Sequence, residues 1–201
     1  MATPRVFLLS PAHCGGERAQ LLFNPRAKFD LAQRLRTEGA TLGEVFAFLS
    51  GLYFRGKLAY AERFGLPLVI TTNAGLVPAD TRITLDTLRA AARVDIKAAN
   101  PRYRRPLLAS ARTVAEHLGP DGAVTLLGSI ASDKYVEALL SVFSERLTFP
   151  MEFVGRGDMS RGGLLLRCVR AGQELTYVPV VGAVRHGPRP PRLTPMRWTV
   201  R

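Results

Sequence analysis

Cysteine is nearly missing from this 201-residue chain: Cys14 and Cys168 are the only two. Two thiols build no disulfide framework, and with three histidines (His13, His117 and His186) they show no metal-ligand spacing, so zinc is not expected. A reducing, cytoplasmic setting is the expectation that follows. Long apolar runs are also lacking. The longest uncharged stretch, Phe64 to Ala79, has 16 residues and is interrupted by Pro67, Asn73, Gly75 and Pro78. A spanning helix needs about 20 apolar residues, which argues against a membrane protein. Residues Met1 to Ser10 carry neither a long apolar core nor a cleavage signal, so a secretory leader is not expected. No Gly-x-Ser-x-Gly elbow and no Walker-type phosphate loop is present, and no cofactor is expected.

Acidic residues are scarce as well: 16 against 28 basic ones, a formal net charge of +12. Only Lys28, Lys57, Lys97 and Lys134 are lysines, leaving 24 arginines. Codon bias explains the arginine-to-lysine ratio but not the sign of the net charge. Guanidinium groups bind phosphate bidentately and stack on bases, so nucleic acid (DNA before RNA) or a nucleotide is the natural partner.

With 47% hydrophobic residues, the chain has the composition of a globular domain. Apolar runs at Arg5–Ser10, Leu66–Thr72, Ala123–Leu127 and Met151–Val154 read as strands. Between them fall helical signals: Glu17 onward, Asn24-Pro25 as cap and first turn of a helix to about Glu38, and Thr41 with Glu44 as a capping box. Further helices are expected over 52–64, after Thr84, over 105–118 and over 133–144. Asp158 to Ala171 reads as a helix stopped by Gly172 or as a hairpin into 174–181. The alternation argues for an α/β fold, a compact single domain with a central mixed sheet flanked by helices. The domain spans 1–181. Residues 182–201 hold Arg185, Arg189, Arg192, Arg197 and Arg201 among prolines and no acid, an extended basic tail.

Four constellations carry chemistry. Ser10-Pro11-Ala12-His13-Cys14-Gly15-Gly16 joins a strand end to a helix start, where loop amides and a helix N-terminus converge on ligands in open α/β sheets. There Cys14 reads as a lowered-pKa thiol or as a buried one. Phe48 to Ala59, within a possible helix-hairpin-helix-like segment over 41–64, has Leu49-x-Gly51-Leu52 fitting half of a hairpin whose amides, with Arg55 and Lys57, would grip phosphate, or else is a plain helix–helix turn with Arg55 and Lys57 exposed. Gly128 to Tyr135 repeats the strand–loop–helix pattern, with Ser129, Ser132 and Lys134 as a phosphate cradle or Ser132 and Asp133 as simple caps. Gly155 to Gly163 sets Arg156 and Arg161, with Ser160 between them, in a glycine-rich stretch that suits a phosphate clamp or a solvated loop. The loop Asn73 to Asp80 adds a carboxylate at a further strand end.

Taken together these stretches resemble the YaaA family of bacterial peroxide-stress proteins. Ser10-Pro11-Ala12 matches that family's Ser-Pro-Ala-Lys loop, with His13 in place of the lysine. Ala131-Ser132-Asp133-Lys134-Tyr135 and Arg156-Gly157-Asp158-Met159-Ser160-Arg161 match two further motifs, and Gly75 to Asp80 resembles a third with altered spacing. The resemblance implies a compact α/β fold with a cationic, DNA-binding cleft and a role in oxidative stress. Sequence-nonspecific DNA binding through Ser10, Arg55, Lys57, Arg156 and Arg161 is therefore the first expectation. The second is an enzyme acting on a nucleotide, nucleobase or damaged base, with His13 and Asp80 as acid–base groups and Ser129, Ser132 and Lys134 holding phosphate.

Overall fold

The computed structural model describes residues 5–194. Strand β1 (Arg5–Leu9) is followed by α1 (Glu17–Phe23), α2 (Asp30–Thr37), β2 (Ala40–Thr41), α3 (Leu42–Ser50) and α4 (Leu52–Phe64). Then come β3 (Leu66–Ile70), β4 (Leu76–Pro78), β5 (Arg82–Ile83), α5 (Leu85–Ala92) and α6 (Pro101–Leu118). The chain continues through β6 (Ala123–Leu127), α7 (Val136–Phe143), β7 (Leu147–Pro150), α8 (Asp158–Ala171) and β8 (Tyr177–Pro179).

Six strands form one mixed sheet in the order β4-β3-β1-β6-β7-β8. The inner four are parallel, while β4 and β8 run antiparallel on the edges. Alternation along β1 splits its side chains between two cores. Phe7 and Leu9 pack with residues of α1 to α5 and α8, whereas Val6 and Leu8 pack with residues of α6 and α7. The expected α/β architecture is the one observed. No helix among the described residues is long and apolar enough to cross a membrane.

Local signals placed most elements, with informative exceptions. Thr41 caps α3, its hydroxyl accepting from the Glu44 amide at 3.3 Å. Glu44 itself turns away from the reciprocal capping contact to pair with Arg34. The expected helix start at Asn24-Pro25 is corrected: Asn24 closes α1, and its side chain accepts from the Arg26 amide at 2.9 Å, making a turn. Helix α2 begins only at Asp30. Residues Met151–Phe153, read as strand, form a 3₁₀ turn, because β7 has already ended at Pro150. Asp158 to Ala171 resolves as helix, with Gly172 in the left-handed conformation (φ 64°) ending it.

Two glycines decide how α4 meets α8. A Cβ on Gly56 would lie 2.7 Å from the Gly162 carbonyl oxygen, and one on Gly162 would lie 2.8 Å from the Leu52 carbonyl oxygen. The helices thus cross backbone against backbone, which brings the N-terminus of α8 to the carboxyl end of the sheet.

Residues 183–194 of the tail form no helix or strand, and they lie on the body. A Cβ at Gly155 would collide with the backbone of Gly187 and Pro188, Arg167 donates to the Thr194 carbonyl, and Arg185 pairs with Asp133. Arg197 and Arg201 lie outside the described residues.

Candidate functional site

The chain leaves β1 toward the face holding α1, and leaves its neighbour β6 toward the opposite face holding α7. Adjacent strands whose exits diverge open a crevice at their carboxyl ends. A cavity of about 470 Å³ sits there, within the range of roughly 300–1,000 Å³ usual for small-molecule sites. The loop after β1 contributes Ser10 and His13, the loop after β3 contributes Thr72, and the loop after β6 contributes Ser129, Ser132, Lys134 and Tyr135. Tyr53 and Lys57 enter from α4, Asp158 from the first turn of α8, and Asp95 and Lys97 from the segment after α5.

Lys57 is the group furthest from its expected setting. Read as an exposed hairpin cation, it is 2% exposed, because the Gly56–Gly162 crossing covers its face of α4. Its ammonium donates to the Ser10 carbonyl at 2.8 Å and the Ser10 hydroxyl at 2.7 Å. The Tyr53 and Phe54 rings lie 4.4 and 4.8 Å from the nitrogen. Burial disfavours the charged amine and brings its pKa down to about 7; Asp158 opposes the shift and Arg161 adds to it.

Hydroxyl groups surround this amine. Tyr135 donates to the Ser129 carbonyl at 2.8 Å and lies beside Ser10, and burial pushes its phenol up to about 12. Gly128 leaves the space that both need, since a Cβ there would lie 2.7 Å from the Tyr135 hydroxyl and 2.8 Å from the Ser10 Cβ. Tyr53 is 7% exposed; burial pushes its phenol well above the usual value, and the Arg161 guanidinium beside it opposes the shift.

Of the sequence-derived candidates, Ser10, His13, Lys57, Ser129, Ser132 and Lys134 share this cavity. The arginine clamp does not form. Arg161 is 8% exposed, donates to the Phe153 carbonyl at 3.1 and 3.2 Å, and pairs with Asp158 at 3.4 Å. Arg156 donates to the Glu152 carbonyl at 2.9 Å and to the Ser160 hydroxyl at 3.1 Å. These guanidinium groups tie the entry of α8 to the preceding turn. Removing the side chain in Arg161→Ala is expected to lower stability by about 2 kcal/mol, the scale of charge-assisted hydrogen bonds, read by urea unfolding.

Asp80 is misplaced by strand direction. Strand β4 runs back along β3, pairing Pro78 with Leu68, so Asp80 lies exposed at the amino end of the sheet, away from the cavity. Arg55 is exposed on α4 and does not line the cavity. Cys14 is no activated thiol: its Sγ donates to the Ala12 carbonyl at 3.6 Å, and burial pushes the thiol up to about 12. Tyr53, Tyr135 and Asp158 received no role from the sequence, although Tyr135 and Asp158 stand inside the quoted motifs; their signal was present and their roles were not.

No family model, curated protein or solved structure matches this chain.

Proposed function

We propose that this protein is an enzyme of small anionic substrates of the nucleotide class, bound in the cavity where the β1 and β6 loops diverge. One observation carries the reading: three loops from parallel strands and the first turn of α8 surround a single cavity with a near-neutral amine in its wall. Lys134 is exposed on the loop after β6, its amine has no hydrogen-bond or ion-pair partner among the described residues, and it suits a phosphate. Ser129 and Ser132 supply hydroxyl groups beside it. The YaaA-like stretches Ser10–Ala12 and Ala131–Tyr135 fall on this cavity, and Arg156–Arg161 lies beside it, which supports a distant kinship with that family.

Reversing the charge in Lys134→Glu is expected to weaken binding of a nucleoside phosphate at least tenfold and leave the melting temperature of the free protein within about 2 °C. Thermal shift across a panel of nucleoside mono-, di- and triphosphates reads both numbers. No stabilisation by any member of the panel, in a protein that melts cooperatively, overturns the nucleotide reading.

A second reading, sequence-nonspecific DNA binding, draws on the +12 net charge and on exposed cations such as Arg55, Lys97 and Lys134. It requires affinity for duplex DNA that falls steeply with salt, by a log–log slope of about −0.9 per neutralised phosphate. Fluorescence anisotropy over a salt series separates it from the cavity reading, because a small-molecule enzyme shows no such slope at sequence-independent sites.

A further inference from the structure

We infer that Ser10 is a nucleophile and Lys57 its proton acceptor, serving acyl transfer on an ester or amide carried by the anionic guest. This rests on the cavity reading above and gives it a reaction. Ser10 is 7% exposed, lines the cavity, and has its hydroxyl 2.7 Å from the Lys57 nitrogen. Its backbone is fixed by the amide hydrogen bond from Ser10 to the Leu127 carbonyl at 3.2 Å, a continuation of the β1–β6 ladder. Nucleophile and base are therefore held at hydrogen-bond distance by two rigid elements, the end of a central strand and a helix pinned by its glycine contact.

As an ammonium, Lys57 places two of its three protons on the Ser10 oxygens, with the Tyr53 and Phe54 rings beside the nitrogen. The nearest opposing charge, Asp158, is already paired with Arg161. In its neutral form, which the same geometry permits, the amine keeps one N–H on the Ser10 carbonyl while its lone pair receives the Ser10 hydroxyl proton. The groups that bear on its charge are Asp158 and Arg161 from α8, with His13, Lys97, Lys134 and Asp95 around the same cavity and the Tyr53 and Tyr135 phenols beside it.

The step balances without a further reactant except water. Ser10 Oγ forms a bond to the acyl carbon as its proton moves to Lys57 Nζ. The carbon–heteroatom bond then breaks, and the departing alcohol or amine takes that proton from Lys57. Water next gives a proton to Lys57 and attacks the acyl carbon. The acid leaves, and Ser10 regains its proton from Lys57.

A fluorophosphonate probe tests this on the full chain. Attack by Ser10 Oγ on phosphorus expels fluoride, leaving a mass increase that peptide mapping assigns. Wild type is expected to label at Ser10, with a rate that rises through about pH 7 as Lys57 loses its proton. Ser10→Ala is expected to lose all labelling, and Lys57→Met to slow it at least about 100-fold, the usual weight of a positioned base. No labelling of folded wild type, labelling elsewhere, or a rate independent of pH between 5 and 9 overturns the inference. The pH profile keeps the test decisive should either variant fold poorly. Nucleotide stabilisation without labelling removes the Ser10–Lys57 chemistry and spares the cavity reading; labelling at Ser10 without nucleotide stabilisation does the reverse.

Discussion

Replacing Lys57 by methionine is expected to yield a protein that is more stable at neutral pH and inert. The sign comes from linkage. Lys57 binds its proton with a pKa near 7 in the folded chain, against about 10.4 for a free lysine, so between those values the unfolded chain holds more protons. Wild-type stability should therefore rise with pH across this window, by about 1.4 kcal/mol per unit. Below pH 7 the full burial penalty is present, and near pH 7 it still amounts to about 4 kcal/mol.

Methionine fills the same channel between Tyr53 and Phe54 without that penalty, at the cost of leaving two Ser10 acceptors unpaired, about 1–3 kcal/mol. The variant should lead by about 1–3 kcal/mol at pH 7, and the two stability curves should cross near pH 9. Urea unfolding of both proteins at pH 6, 7.5 and 9 measures this; parallel curves would show that Lys57 does not carry its low affinity for protons. A residue retained against its own stability is what a working site is expected to hold.

The second large effect is expected at the α4–α8 crossing. Helix propensity alone makes Gly→Ala favourable by about 1 kcal/mol. At Gly162 the added Cβ would stand 2.8 Å from both the Leu52 carbonyl oxygen and the Tyr53 Cα, backbone atoms that have no rotamer to move. Gly162→Ala is therefore expected to lose about 3 kcal/mol, since overpacking of this kind forces helices apart. Gly163 supplies the internal control. Its Cβ would meet only a Leu193 side-chain carbon at 3.6 Å, so Gly163→Ala should be neutral or slightly stabilising. Equal effects at the two positions in thermal or urea unfolding would contradict the crossing. Because Asp158 enters the cavity from the start of α8, Gly162→Ala should also weaken nucleotide binding where the folded fraction is still complete.

Strand and helix identity was legible because each is a short-range property. Arg5–Leu9 and Ala123–Leu127 are apolar runs, α3 carries its own cap, and Gly172 stops α8 where a left-handed residue is needed. The Ser10–Gly16 and Gly128–Tyr135 loops were legible as strand-end loops for the same reason: a strand end running into a helix start is written in adjacent residues. Parallel pairing of β1 with β6 then set them side by side.

Strand direction and helix partner are not written locally, and the remaining site depended on them. Asp80 looked like a strand-end carboxylate, and an antiparallel β4 carried it to the wrong end of the sheet. Lys57 looked like a solvated cation in a turn, because nothing near it in sequence announces that Gly56 meets Gly162, more than a hundred residues later, and closes that face. Arg161 looked like a free phosphate ligand until the Phe153 carbonyl and Asp158 engaged it. Composition and periodicity fixed which surfaces seek burial; only the packed chain decided which polar atoms were enclosed with them, since desolvation depends on every neighbour in space and not on those in line.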